Sequence, residues 1–176
     1  MPTLVLSDPS LVILIGAAGS GKSTLAARLF AADEIVSSDA LRAVVSGDEA
    51  DQRVSGIAFR ILQRTVAKRL ATGRLTVVDA TNAVASVRRP LIASARAAGL
   101  PVTAIVLDLD PDRIQLQNAA RSRVVDPEVV DRHLAAVRTT IDGGRLELEG
   151  IDQVVILRNA DDVAAISLER MRSPTA

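Results

Sequence analysis

"LVILIGAAGSGKS", Leu11 to Ser23, runs from five unbroken apolar residues straight into a glycine-rich loop ending in Gly-Lys-Ser. Five apolar residues are too few for a buried helix. Rich in Val and Ile and bounded by glycine, they read as a strand covered on both faces, as in the middle of a parallel sheet. The loop, Gly16 to Ser23, fits the pattern of Gly, four residues, then Gly-Lys-Ser, and it follows a strand and opens a helix, the context that gives this motif its meaning. Glycines let backbone N–H groups turn inward around phosphate oxygens, and the new helix points its positive dipole end at the same anions. Gly16, Ala17, Ala18, Gly19, Ser20, Gly21, Lys22, Ser23 and Thr24 are therefore the candidate nucleotide-binding set. Within it Lys22 is expected on the outer phosphates and the Ser23 hydroxyl on Mg²⁺.

Outward from this motif, short β-rich runs alternate with longer stretches of helical period. Further strands are expected at Glu34–Val36, Leu75–Asp79, Val102–Asp108 and Gln153–Leu157. Between Gln52 and Ala71, apolar residues at Val54, Ile57, Ala58, Ile61, Leu62, Val66 and Leu70 lay one stripe along a helix. Asp126 followed by Pro127 reads as a helix start, and Asn159 as the cap of a last helix running toward Met171. The fold expected is α/β: a P-loop kinase fold with a central five-stranded parallel sheet flanked by helices. Residues 1–172 read as one domain and 173–176 as a polar tail or linker stub.

Composition narrows the function classes. The chain has 176 residues and a formal net charge of zero, which disfavours a protein that coats nucleic acid through many phosphate contacts. One or two phosphates can still be gripped locally. It has no Cys, so disulfides, zinc–thiolate sites and a thiol nucleophile are excluded. Aromatic residues are limited to Phe30 and Phe59, leaving an aliphatic core and little surface for base stacking. No stretch approaches membrane-spanning length and the N-terminus lacks a basic region followed by a long apolar run, so a soluble, cytoplasmic protein is expected.

The same loop serves GTPases, motor ATPases and kinases. No guanine signature of the Asn-Lys-x-Asp type occurs, and no strand ends in paired acids, so a small phosphotransferase using ATP and Mg²⁺ fits better. Such enzymes close an arginine-bearing lid over the donor phosphates. "NAARSRVVDPEVVDRH" supplies Arg121 and Arg123 just before a helix start, where a lid is expected.

The second strand runs into "SSDALR", Ser37 to Arg42, at the carboxyl edge of the sheet, where ligands of open α/β sheets bind. An acceptor hydroxyl needs a carboxylate to orient it and take its proton, and Asp39 is placed for that task. His133, the only histidine, lies far along the chain. Arg42, one helical turn beyond Asp39, shares its face and can clamp an anionic group on the acceptor. On caps alone, Asp39 would read as a helix N-cap beside an ordinary solvent-facing Arg. "TVVDATN" brings Asp79, Thr81 and Asn82 to the same edge, with Asp79 either holding Mg²⁺ through water or buttressing Arg42.

Together, "GAAGSGKSTLA", "SSDALR", "DEADQRVSGIAF", "KRLATGRLTVVDATN", "RRPLIASA" and the arginine-bearing segment occur in the order and spacing of a known family. The chain resembles the kinase domain of bacterial polynucleotide kinase-phosphatase and, more loosely, the phage 5′-OH polynucleotide kinase. The resemblance implies transfer of the ATP γ-phosphate to the 5′-hydroxyl of RNA or DNA in end healing. It implies Asp39 as general base, Arg42 on the phosphate next to the 5′ nucleoside, Lys22 and Ser23 as donor and metal contacts, and Arg121 and Arg123 as lid arginines. It also suggests Gln52, Arg53 and their neighbours facing the acceptor strand, a possible homodimer, and phosphatase and ligase-like domains downstream in a longer chain. Gln117 departs from the pattern, standing where an additional lid Arg is expected. The alternatives are a small-molecule kinase of the same architecture, acting on a hydroxyl metabolite, and a slowly hydrolysing ATP-dependent switch.

Overall fold

In the computed structural model, which describes residues 3–48, 52–121 and 123–172, the apolar run Leu11–Ile15 lies in the middle of a five-stranded parallel sheet. In chain order the elements are β1 (Thr3–Asp8), β2 (Leu11–Gly16), α1 (Lys22–Leu29), β3 (Ile35–Ser37), α2 (Ser38–Ser46), α3 (Ser55–Ala71), β4 (Thr76–Asp79), α4 (Ala85–Ala97), β5 (Val102–Leu107), α5 (Pro111–Ala119), α6 (Pro127–Ile141), α7 (Arg145–Leu148), β6 (Gln153–Leu157), α8 (Ala160–Ala165) and β7 (Ser167–Arg172). The main sheet has the order β3-β4-β2-β5-β6, all parallel.

Strand β2 is apolar throughout because both of its faces are covered. Leu11, Ile13 and Ile15 pack with Leu62, Val66 and Leu70 of α3 and Leu91 of α4. Val12 and Leu14, pointing the other way, pack with Leu25 of α1, Ile114 of α5, and Val130 and Leu134 of α6. Truncating a fully buried residue such as Leu62 to Ala would cost about 2–5 kcal/mol through lost transfer energy and the cavity left behind.

Register sets the functional edge. Ser37 pairs with Asp79, and Asp79 pairs with Leu14, so the carboxyl ends of β3, β4 and β2 emerge side by side. The segment beginning Ser38-Asp39, the Asp79 carboxylate and the glycine loop therefore share one rim of the sheet.

Two expectations need correction. The last helix does not run toward Met171: Asn159 caps it as expected, accepting from the Asp162 N–H at 2.8 Å, but α8 ends at Ala165. Ser167–Arg172 is instead a strand, pairing in parallel with Thr3–Asp8, an N-terminal segment to which no element had been assigned. Leu4 and Leu6 are buried against the α1 side of the core, and the alternation Leu4, Leu6 with exposed Thr3 and Val5 is the strand signal. Second, the helix expected from Gln52 starts at Ser55, after a 3-10 turn over Gln52–Val54. The helix after β3 is capped by Ser37, whose hydroxyl accepts from the Ala40 N–H, so Asp39 is not the N-cap that cap preferences alone would suggest. Asp39 lies in the first turn with its carboxylate available for other partners. The proposed tail, 173–176, lies outside the described residues.

Candidate active site

Gly19 and Gly21 take left-handed backbone conformations, φ +83° and +91°, which other residues adopt only with strain. They fold the loop over the start of α1. Gly21 is the N-cap residue, and no side chain caps the helix, leaving its first N–H groups for an anion. A Cβ on Gly16 would sit 2.7 Å from Ser20 Oγ, and one on Gly19 would sit 3.2 Å from Asn118 Cβ. Gly19 is therefore constrained by close approach as well as by conformation, and Gly16 by close approach alone.

Lys22 is 8% exposed, and its ammonium donates to the carbonyls of Gly16 at 2.9 Å and Ala17 at 2.7 Å. Burial pushes its pKa down to about 8; the Asp79 and Asp39 carboxylates oppose the shift and Arg121 adds to it. Next to it, the Ser23 hydroxyl donates to Asp79 Oδ2 at 2.6 Å, and Asp79 is buried. A hydroxyl and a carboxylate side by side form an oxygen donor set that suits Mg²⁺. Of the two roles open to Asp79, this contact favours the metal side.

Asp39 is flanked by guanidinium groups. Arg42 pairs with Oδ1 from one turn along α2, and Arg123 Nη1 lies 3.5 Å from Oδ2. The first contact was legible in the i, i+3 spacing. The second joins residues 84 positions apart and depends on how the segment before α6 returns over the sheet edge.

That return is fixed by Asn118, which is buried at the end of α5. Its Nδ2 donates to the Val125 carbonyl at 2.6 Å and its Oδ1 accepts from the Val125 N–H at 3.0 Å. The stretch between them, carrying Arg121 and Arg123, is closed into an arch standing on Gly19 of the phosphate loop. Asp126 then caps α6, as expected, by accepting from the Glu128 N–H at 2.9 Å.

All of these groups line one cleft of about 950 Å³: the loop from Ala18 to Thr24, Asp39 and Arg42, Asp79 and Thr81, Gln117, Arg121, Arg123 and His133. Gly16 and Ala17 are not in its lining and act through their carbonyls, which accept from Lys22. Asn82 is not in the cleft wall. It is buried with φ +48°, donates to the Leu14 carbonyl at 2.8 Å, and its own carbonyl accepts from Arg88 at 2.7 Å. Arg88 is itself 1% exposed and pairs with Glu149 through Nε at 2.8 Å and Nη2 at 2.5 Å. Asn82 thus belongs to a buried scaffold that anchors the loop after β4. Arg53 is not among the described residues of the cleft wall, and the side chain of Gln52 lies outside the described residues. Asn118 escaped the sequence reading, and His133 was set aside there because it lies far from Asp39 in sequence. The signal for His133 was the helical stripe Asp126, Val129, His133, one face pointing as the lid end points.

Residues 11–142 match the profile of a family described as an AAA domain, three quarters of the chain. No curated protein matches it. Among solved structures, one chain of the Pnkp1/Rnl/Hen1 RNA repair complex superposes with a TM-score of 0.65 at 19% identity, over 77% of this chain and 46% of that one. The chain thus spans about half the length of that protein. A gluconokinase from Sinorhizobium meliloti 1021 gives a TM-score of 0.56 at 17% identity, over 90% of this chain and 87% of that one. A sugar kinase from Janibacter sp. HTCC2649 gives 0.59 at 18% identity, over 85% of each. Identities this low speak for the fold alone. No helix among the described residues is long and apolar enough to cross a membrane. Motif, fold and profile agree, and they imply nucleotide binding: the chain belongs to the AAA domain family, with a kinase-like P-loop α/β fold.

Proposed function

We propose that the protein is an ATP-dependent 5′-hydroxyl polynucleotide kinase, moving the ATP γ-phosphate to the 5′-OH end of RNA or DNA in end healing. The observation that carries this reading is the Asp39 carboxylate held between Arg42 and Arg123 in the same cleft as Lys22 and Ser23. A neutral hydroxyl acceptor would need only the carboxylate. Two guanidinium groups beside it suit an acceptor that carries an anion next to its hydroxyl, as the first phosphodiester of a strand does.

The donor site fits ATP with Mg²⁺: free helix N–H groups, a buried lysine and the Ser23–Asp79 oxygen pair converge there. Ser23 and Asp79 would hold the metal ion, which would supply positive charge against the negative charge developing in phosphoryl transfer. Lys22, Arg121 and the loop amides bind and orient the donor phosphates. Asp39 orients the acceptor hydroxyl and takes its proton as the oxygen forms its bond to phosphorus. Arg42 holds the adjoining phosphate, and the Asn118-anchored arch shields the cleft from water.

A second reading, a small-molecule kinase acting on a hydroxyl metabolite, draws on the near-complete overlap with the gluconokinase and the sugar kinase. It also draws on the cleft wall, where neither Phe30 nor Phe59 offers a ring for stacking. An acceptor screen with γ-labelled ATP separates the two. Transfer to a 5′-OH oligonucleotide supports the first reading; transfer to gluconate or another metabolite with none to the oligonucleotide overturns it.

A further inference from the structure

His133 lies 94 residues beyond Asp39 in sequence, yet the fold brings its ring into the wall of the cleft that Lys22 occupies. It stands on the inward face of α6, one turn beyond Val129, which shares that wall. The two ring nitrogens are in different surroundings. Nδ1 is buried with no hydrogen-bond partner, whereas Nε2 is not among the buried unpartnered atoms.

That asymmetry selects a tautomer. A buried N–H without an acceptor loses its full hydration, while a buried lone pair loses less, and orphaned N–H groups are accordingly the rarer of the two. A ring protonated on Nε2 leaves only a lone pair at the buried, unpartnered Nδ1, the less costly of the two arrangements. Burial lowers the imidazole pKa below its ordinary value, with the Lys22 and Arg132 charges adding to the effect, so the ring is neutral near pH 7. A neutral ring protonated on Nε2, in the wall of a cleft that Lys22 also lines, is a hydrogen-bond donor that brings no further charge into it. Lys22 is among the charges acting on the ring, and both residues line the same cleft.

We propose that His133 is a binding residue for the donor nucleotide, its Nε2–H donating to an oxygen of the phosphate chain beside Lys22. The inference rests on the donor half of the function proposed above, and does not depend on which acceptor the enzyme uses.

Because the chain has a single histidine, its imidazole nitrogens give one unambiguous set of signals in a long-range ¹H–¹⁵N spectrum of the uniformly labelled protein. ADP and inorganic pyrophosphate should each shift the Nε2 resonance along their calorimetric binding isotherms, while adenosine, which has no phosphate, should leave it unmoved. His133→Ala should weaken ADP binding about tenfold, the usual effect of losing one hydrogen bond to a charged group. His133→Gln, which can place an amide N–H near the position of Nε2, should recover most of that loss, with melting temperatures of both variants close to the parent. A ring that stays silent while ADP binds, or a shift produced by adenosine alone, overturns the assignment. Absence of any ADP binding by the parent protein overturns the donor reading itself, a distinct result.

Discussion

Asn118 holds Val125 by both of its backbone groups, at 2.6 Å and 3.0 Å, and so closes the arginine-bearing arch as a strand partner would. The same side chain stands 3.2 Å from where a Cβ on Gly19 would lie, so arch and phosphate loop are in register through one residue. The two ends of the segment that carries Arg121 and Arg123 are thereby held together.

Asn118→Ala leaves the part-buried N–H and carbonyl of Val125 without their partner, a cost of roughly 1–3 kcal/mol in all. The expected result is a lower melting temperature and much faster hydrogen exchange at the Val125 amide. Phosphotransfer should fall further than stability alone accounts for, because Arg121 and Arg123 lose their fixed position. An unchanged Val125 amide would count against the anchor.

Asp39→Ala should reduce phosphotransfer by roughly 10²–10⁴-fold, the range for loss of a general base, while ADP binding is kept. Loss of nucleotide affinity in the same proportion would mark Asp39 as a structural residue. Arg42→Ala should damage transfer to a 5′-OH oligonucleotide or a nucleoside 3′-monophosphate far more than transfer to an uncharged alcohol, seen as a raised acceptor KM.

The two lid arginines should divide between the substrates. Arg121 acts electrostatically on Lys22, whereas Arg123 faces Asp39 at 3.5 Å. Arg121→Ala should therefore raise the KM for ATP and Arg123→Ala the KM for the acceptor. Initial-rate kinetics with each substrate varied in turn would read this out, and identical patterns from the two variants would refute the division.

Lys22 gives a pH signature. Its pKa in the folded protein is about 8, against an ordinary value of 10.5, so above pH 8 the free protein increasingly carries it neutral. A polyphosphate favours the charged ammonium, so ADP affinity should decline as pH rises past about 8, with proton uptake on binding measurable by calorimetry in buffers of different ionisation enthalpy. Stability has the opposite slope from this group. Between the folded and unfolded pKa values the unfolded chain binds more protons, and the contribution of Lys22 to stability rises with pH there.

At the far side of the sheet, Glu34 receives Arg170 bidentately at 2.6 and 2.8 Å, tying the turn before β3 to β7. The hydrogen bonds from Arg170 hold the Glu34 pKa below its ordinary value, outweighing the effect of burial. Its contribution is therefore complete above the unfolded carboxyl pKa and is lost as pH falls through the lowered folded value. Glu34→Gln should cost roughly 1 kcal/mol or less at pH 7 and make the melting temperature less sensitive to acid, as measured by thermal denaturation between pH 3 and 7.

Much of this molecule was readable before folding. Leu11–Ile15 announced a doubly covered strand because five apolar residues in succession leave no face for water. Gly16–Ser23 announced a phosphate loop because its backbone conformations and its lysine are local requirements. Asp39 and Arg42 were legible as a pair because three residues on a helix are one turn. The two-stranded β1–β7 ribbon was harder, since two short segments at the chain ends make sense as strands only when paired with each other. Asn82 was misread for a related reason: a polar residue at a strand's end can face a ligand or satisfy the backbone beneath it, and Arg88 and the Leu14 carbonyl decided for the backbone.

By itself, then, the sequence determined the sheet, the phosphate loop and the carboxylate–guanidinium pair, all set by contacts within a few residues or by hydrophobic period. Tertiary structure alone decided that Arg123 meets Asp39, that Asn118 sets Val125 against the phosphate loop at Gly19, and that His133 joins the wall of the cleft that Lys22 lines. Those relations span tens of residues, and their geometry is fixed only when α5 and α6 pack their apolar faces onto β2 and β5, since no local propensity encodes where the far end of a helix will stand.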